Sequence, residues 1–323
     1  MSTRDQLLSY LKERKGEWIS GESLSNKIAV SRAAIWKHIR TLREEGYHIE
    51  SSTNKGYSLQ KVSEMLLPRE IREGLETKVF GKSDIVYFKE TDSTNTRAKE
   101  LATQGAPEGT LVVSEAQTEG RGRKGRNWFS PPKSGVYVSL ILRPTVPPSE
   151  APKITLLTAV VTAETLLSLT QLRVRIKWPN DILVNGKKIA GILTEMSTDM
   201  DAIDYVVVGL GLNVDTARFP HDIREKATSI FIETGMHFSR VKLIKAYLKW
   251  YEQYYQVFKG IGFDPILKRW KELADIIGKR IVVEMIDQTL TGEVQDIDSD
   301  GFLLLRDEEG KSIRIVSGDI TLR

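Results

Sequence analysis

Cations concentrate in two short stretches of this chain: Arg121, Arg123 and Arg126, with Lys124 among them, in AQTEGRGRKGRNWFSPP, residues 116–132, and Lys187 and Lys188 in VNGKK. Glycines let a backbone approach an anion closely, and guanidinium forks offer paired donors to carboxylate or phosphate. Gly120, Gly122 and Gly125 also fit GxGxxG. A dinucleotide fingerprint, however, needs a helix opening on the loop, and Asn127-Trp128-Phe129-Ser130 followed by two prolines cannot start a long one. The stretch is therefore read as a flexible, strongly cationic anion-binding loop, the bland alternative being a solvated basic turn. Such equipment suits a reaction that joins two anionic reactants, as when a carboxylate attacks the α-phosphate of ATP. Asn180 and Asp181 could orient a nucleotide or help hold magnesium. Trp128 offers an aromatic surface, and Asn213 both a donor and an acceptor. A structural role stays open for each of these polar residues. GxSxG, HExxH and a histidine-centred triad are absent, and VNGKK is not a Walker A loop.

The elements that must position these residues follow from patterning. Segments 111–115 and 136–143 read as strands flanking the glycine-arginine loop, and 149–169 as a long helix covering a sheet. A strand at 174–178 ends in the turn Pro179-Asn180-Asp181. Strands 182–184 and 189–193 bracket Asn185-Gly186, a strong hairpin signal that sets Lys187 and Lys188 on opposite faces of the returning strand. Another strand, 205–210, leads into Gly211-Leu212-Asn213. After a strand at 85–88, Asp92-Ser93-Thr94-Asn95 is suited to start a helix, its side chains serving the helix end or a polar ligand. The pattern predicts a mixed sheet with packed helices rather than regular βα repeats.

The flanks differ in character. Residues 1–60 hold ten Lys or Arg against seven Asp or Glu. Leu7, Leu8 and Leu11 mark a first helix, 22–28 a second, and Ile35, Ile39 and Leu42 a third that Ser31 can cap. Arg32, Lys37 and Arg40 are left on its exposed side. Strands 47–50 and 57–60 then form a hairpin with Lys55 near its tip. Three helices and a two-stranded wing suit a winged helix-turn-helix DNA-binding module, a small protein-docking bundle being the alternative. Beyond a polar connection at 61–84 and a helix near 240–259, the chain becomes strand-rich after about residue 277. Acids there outnumber bases ten to six, which makes it a poor nucleic-acid platform and suggests a small β-barrel acting as lid, support or docking surface. The α+β organisation expected is thus 1–62, 63–276 and 277–323.

Composition narrows the classes. The 323 residues contain no cysteine, which excludes disulfides, thiolate catalysis and zinc–thiolate sites. His38, His48, His221 and His237 are scattered without metal-ligand spacing. No run approaches 18 apolar residues and no signal-peptide core follows the first residues, so a cytoplasmic location without a membrane partner is expected.

Taken together, SRAAIWKHI, NKGYSL, DSTN, GRGRKGRNWFSP, KWPND, GKKIAGIL and GLGLN, in this order, resemble the bacterial bifunctional biotin protein ligases that double as biotin operon repressors. The resemblance covers essentially the whole chain. It implies a biotin/lipoate-ligase-like catalytic domain and an SH3-like C-terminal barrel. It also implies synthesis of biotinyl-5′-AMP from biotin and ATP with Mg2+, then transfer of biotin to a lysine of the biotin carboxyl carrier protein of acetyl-CoA carboxylase. The same adenylate would act as corepressor, favouring a homodimer on the operator DNA of biotin-synthesis genes. By the same resemblance, Ser93, Thr94, Asn95 and Gln117 belong to the biotin site, and Arg121, Gly122 and Arg123 order over biotin and its adenylate. Lys188 approaches carboxylate and phosphate, while Trp128 and Asn213 contact adenosine. Asn180 and Asp181 belong to the matching KWPND segment. In the N-terminal module, Ser31, Arg32, Lys37, Arg40 and Lys55 are the DNA-contact candidates. Rival readings are a transcription factor that only senses biotin, and an octanoate or lipoate transferase.

Overall fold

The computed structural model describes residues 2–199, 202–274, 276–285 and 288–322. The chain divides after residue 65 into two compact units. In the first, α1 (Thr3–Glu13), α2 (Gly21–Ile28) and α3 (Arg32–Glu44) precede a hairpin of β1 (His48–Ser52) and β2 (Gly56–Lys61). The Ser20 and Ser31 hydroxyls accept the Ser23 and Ala34 amides, capping α2 and α3 as serine does when helix-end donors lack partners. Leu7, Leu11, Leu24, Ile35, Ile39 and Leu42 are buried together, so the apolar stripes that mark the helices also build their core. Gly56 ends the wing turn at φ 93° against the Ile19 backbone, where a side chain would collide.

The second unit begins with α4 (Pro68–Arg72), β3 (Ile85–Phe88), α5 (Thr94–Thr103), β4 (Leu111–Ser114) and β5 (Gly135–Leu142). There follow α6 (Ala151–Leu169), β6 (Val174–Lys177), β7 (Asp181–Val184), β8 (Lys187–Asp199) and β9 (Ala202–Asn213). Then come α7 (Ile230–Thr234), α8 (Arg240–Gly260) and α9 (Asp264–Ala274). The central sheet runs β3-β4-β5-β9-β8-β7-β6; only the β3–β4 pair is parallel. This is the mixed sheet expected. Both β8 and β9 run well beyond their apolar cores, and their long antiparallel pairing carries most of the floor of the candidate site.

Helix α6 packs against β6 and β8 with α8 and α9 alongside, while α5 covers the other face through Ala98 and Ala102 against Val112, Ile141 and Val207. Segment Pro148–Leu169 is long and apolar enough by length and composition to cross a membrane, although polar residues interrupt its apolar run. Most of it is buried inside the protein, which accounts for its all-round apolarity. The start of α8 is fixed by an ion pair between Arg240 Nη1 and Glu115 Oε2 at 2.8 Å, both side chains 5% exposed or less. Glu115 Oε1 also accepts the Leu66 amide at 2.6 Å.

The C-terminal strands are β10 (Arg280–Glu284), β11 (Thr289–Ile297), β12 (Leu303–Arg306), β13 (Ser312–Ile315) and β14 (Asp319–Leu322). Among the described residues they form one antiparallel sheet, ordered β13-β12-β11-β10-β14. Its last strand, β14, returns to pair with β10 at the sheet edge. The sheet shares one apolar cluster with the central sheet and its helices through Ile281, Val283, Leu303 and Ile320. Trp178 Nε1, next to Asn180-Asp181, donates to Gly301 O at 3.1 Å.

Candidate active site

Every residue assigned to biotin or ATP from the sequence lines one cleft of about 840 Å3 in the second unit. Its floor is the β8–β9 pair, one end is the start of α5, and its roof is the loop after β4. The mouth is bordered by Glu284, Asp319, Ile320 and Thr321 of the C-terminal sheet.

A hydrogen-bonded row crosses the α5 end. Gln117 Nε2 donates to Ser130 Oγ at 2.8 Å, while its Oε1 accepts the Thr94 amide at 2.8 Å and the Thr94 hydroxyl at 3.1 Å. Gln117, rather than Ser93, therefore satisfies this donor in the first turn of α5, and the buried Ser93 hydroxyl makes no capping bond. Ser139 Oγ lies 2.6 Å from Asn95 Oδ1 and 2.9 Å from Thr94 Oγ1. Asn95 Nδ2 in turn donates to Glu195 Oε2 at 2.9 Å. The row fixes the orientation of the Asn95 amide and sets Thr94, Asn95 and Gln117 along the cleft as hydrogen-bonding groups.

The cations enter from the roof and from β8. The loop is closed by its own backbone: Gly122 N donates to Arg126 O at 2.7 Å, and Trp128 N to Gly120 O at 2.7 Å. Lys124 takes φ 55° and Gly125 φ 72° in the turn between. Arg123 Nη1 reaches Asn180 Oδ1 at 3.0 Å, and Asn180 Nδ2 donates to Ile192 O at 2.7 Å. The first loop arginine, Arg121, sits 3.4 Å from Glu195 Oε1. Lys188 Nζ is 2.6 Å from the buried Asp181 Oδ1, a charge contact rather than an aligned hydrogen bond, and 5.3 Å from the Trp128 ring centre. Lys187 does not line the cleft, as expected for neighbours on one strand. Burial works to raise the Glu195 carboxyl, but hydrogen bonds from Lys99 and Asn95 and the charges of Lys99 and Arg121 hold it below its ordinary value. Carboxylates thus neutralise Arg121 and Lys188, whereas Arg123 faces a neutral amide.

The Trp128 indole N–H is buried without an acceptor, a donor available to a bound molecule. The ring lies flat over glycines. A Cβ at Gly211 would collide with the indole, one at Gly191 would lie 2.9 Å from Trp128 and from Lys188 Cε, and one at Gly209 would strike the Asn95 amide. Asn213 closes the same edge, its Nδ2 on Thr228 O at 3.0 Å. An anionic, planar, polar-edged molecule matches this combination of cations, half-buried aromatic ring and free donor.

The residue list from sequence reasoning lacked Gly191, Gly209, Gly211, Ser139 and Glu195. A signal existed for the glycines, alternating as they do inside apolar strands, where glycine marks close approach by another group. For Ser139 and Glu195 there was none, because only strand pairing brings them to Thr94, Asn95 and Arg121, which line the cleft.

On α3 of the first unit, Arg32, Lys37 and Arg40 are exposed, while Ser31 uses its hydroxyl as the cap. The same face carries Trp36, 55% exposed, with the Arg40 guanidinium 5.2 Å from its ring centre. Lys55 at the wing turn lies 5.8 Å from the Trp18 ring centre. The sequence marked Trp36 only by a large aromatic off the buried stripe.

Comparison with known proteins gives three domain matches. They are an HTH domain over residues 3–58, the biotin/lipoate A/B protein ligase family over 87–213, and a biotin protein ligase C-terminal domain over 276–323. The chain is 41% identical over 321 residues to the bifunctional ligase/repressor BirA of Bacillus subtilis, covering 99% of this chain and 98% of that protein. Against the protein of the same description from Escherichia coli it is 32% identical over 312 residues, covering 95% and 94%. Among solved structures, the biotin protein ligase from Aquifex aeolicus in complex with biotin and ATP matches with a TM-score of 0.65 and 30% identity, covering 74% of this chain and 98% of that one.

Proposed function

The chain belongs to the bifunctional ligase/repressor family, and from that premise we propose that it is an ATP-dependent biotin protein ligase that also represses biotin-synthesis genes. One observation carries the reading: Lys188, Arg123 and the acceptor-less Trp128 indole converge on a cleft whose other end presents Thr94, Asn95 and Gln117. In the first step a biotin carboxylate oxygen attacks the α-phosphorus of ATP. The bond to the β-phosphate oxygen breaks, and pyrophosphate leaves. Lys188 and Arg123 draw the two anions together and stabilise charge on the phosphoryl oxygens. Trp128 carries the adenine face, and the row from Gln117 to Asn95 orients biotin. In the second step a carrier lysine amine, deprotonated, attacks the acyl carbon and AMP leaves.

In nucleotide sites generally, Mg2+ is held by one or two carboxylates together with substrate phosphates. Among the described residues no group of three His, Cys, Asp or Glu is placed to hold a metal. Asp181 fits the role of a single protein contact for an ion arriving with the nucleotide, which would neutralise the departing pyrophosphate. The acceptor is the biotin carboxyl carrier protein of acetyl-CoA carboxylase. With the adenylate bound, the protein dimerises and sets two copies of α3 on operator DNA, within the cytoplasm.

Incubation with biotin, MgATP and purified carrier protein, followed by mass spectrometry, tests the ligase reading. Pyrophosphate and one biotinylated carrier lysine are expected. Absence of both, or transfer of lipoate or octanoate in place of biotin, would reject it.

A further inference from the structure

The C-terminal sheet brings two carboxylates, Glu284 and Asp319, to the mouth of the cleft, and Asp319 is the one that meets the loop. Asp319 opens β14, opposite Glu284 of β10, and the next residue, Ile320, is buried. This sheet is held on the catalytic core by the Trp178–Gly301 hydrogen bond, and Gly301 sits so close to α6 that a Cβ would lie 3.1 Å from Leu156. Asp319 therefore stands on a fixed support. Its Oδ2 lies 2.5 Å from Arg126 Nη2 and 3.5 Å from Lys124 Nζ. Both cations belong to the turn that carries Arg123, whose remaining side-chain anchor is the amide of Asn180.

We propose that Asp319 is a positioning residue that latches the anion-binding loop to the C-terminal sheet, keeping Arg123 over the cleft so that the adenylate is retained. The inference rests on the ligase reading for its consequence, but not for the latch itself. Burial works to raise the Asp319 carboxyl, and it is outweighed by the Arg126 hydrogen bond and the charges of Arg126, Lys124 and Arg123, which hold it below its ordinary range. The latch is thus charged at neutral pH. It gives the acidic C-terminal sheet a part in the reaction without placing it on the substrate.

Hydrogen exchange of residues 119–129 in the full chain tests the latch without substrate, since the Gly122 and Trp128 amides donate within the closed loop. Asp319→Asn should speed their exchange roughly threefold to fivefold, the scale of a partly exposed ion pair. Asp319→Glu should restore most of the protection. Arg126→Gln should reproduce the effect and add little in the double variant. Adenylate release should quicken by a similar factor, while the single-turnover rate of pyrophosphate formation changes less. Unchanged loop exchange in variants melting with the parent, additive effects in the double variant, or faster exchange throughout the chain would each overturn the latch. A protein that makes no adenylate would refute the ligase reading and leave the exchange result to decide the latch.

Discussion

Lys188 and Arg123 share a cleft but differ in what restrains them, and that difference sets separate expectations for their removal. Lys188 lies 2.6 Å from Asp181 beside the Trp128 ring, which in the proposed reaction would hold its ammonium where charge develops. Lys188→Ala should slow adenylate formation by about 10²- to 10³-fold, the scale of one lost transition-state donor, whereas Lys187→Ala should leave it within about twofold. Single-turnover pyrophosphate release measures both. Equal rates for the parent and a folded Lys188→Ala variant would reject the assignment. Arg123 reaches across from the closed turn to the neutral amide of Asn180, and its guanidinium suits retention of a bound anion. Arg123→Gly should therefore release the adenylate roughly tenfold faster, as for a lost hydrogen bond to a charged group, with little change in melting temperature. Pulse labelling of an unrelated acceptor would show diffuse lysine biotinylation. Unaltered release in the folded variant would count against this role.

At the scale of elements, β8 and β9 make the floor because glycine stands wherever a ligand-facing group lies flat on them. Gly211→Ala would drive a methyl into the Trp128 indole without straining its own backbone, since Gly211 is not at positive φ. The KM for ATP should rise about fivefold to tenfold with modest loss of stability, as expected for a displaced aromatic surface. An unchanged KM would mean that the indole does not carry the adenine. Much of this frame was legible in the sequence. Asn185-Gly186 fixed the hairpin and with it the faces of Lys187 and Lys188, and Ser31 marked the start of α3. Illegible parts share one cause. Ser139, Glu195 and Asp319 are ordinary polar residues in strands, and only pairing between distant segments brings them to Asn95, Arg121 and Arg126. The loop read as flexible is closed by backbone bonds that no local pattern announces.

For the whole molecule, the two units keep separate cores, and every residue lining the cleft follows residue 92. Removing residues 1–65 should abolish operator binding and leave adenylate synthesis within about threefold of the parent. Operator binding retained by the shortened chain would place the DNA surface in the wrong unit. In the intact protein, DNA affinity should fall as salt rises if, as proposed, Arg32, Lys37, Arg40 and Lys55 act in part on phosphates. The central claim is that one compound, made in the cleft, serves both activities. Its most direct test is the affinity of the intact chain for the regulatory DNA upstream of its own biotin-synthesis genes, titrated with biotin and ATP. The control is biotin with α,β-methylene-ATP, which cannot release pyrophosphate. Binding at least tenfold tighter with ATP, and no tightening with the analogue, is the expected result; equal affinity under both conditions would contradict it.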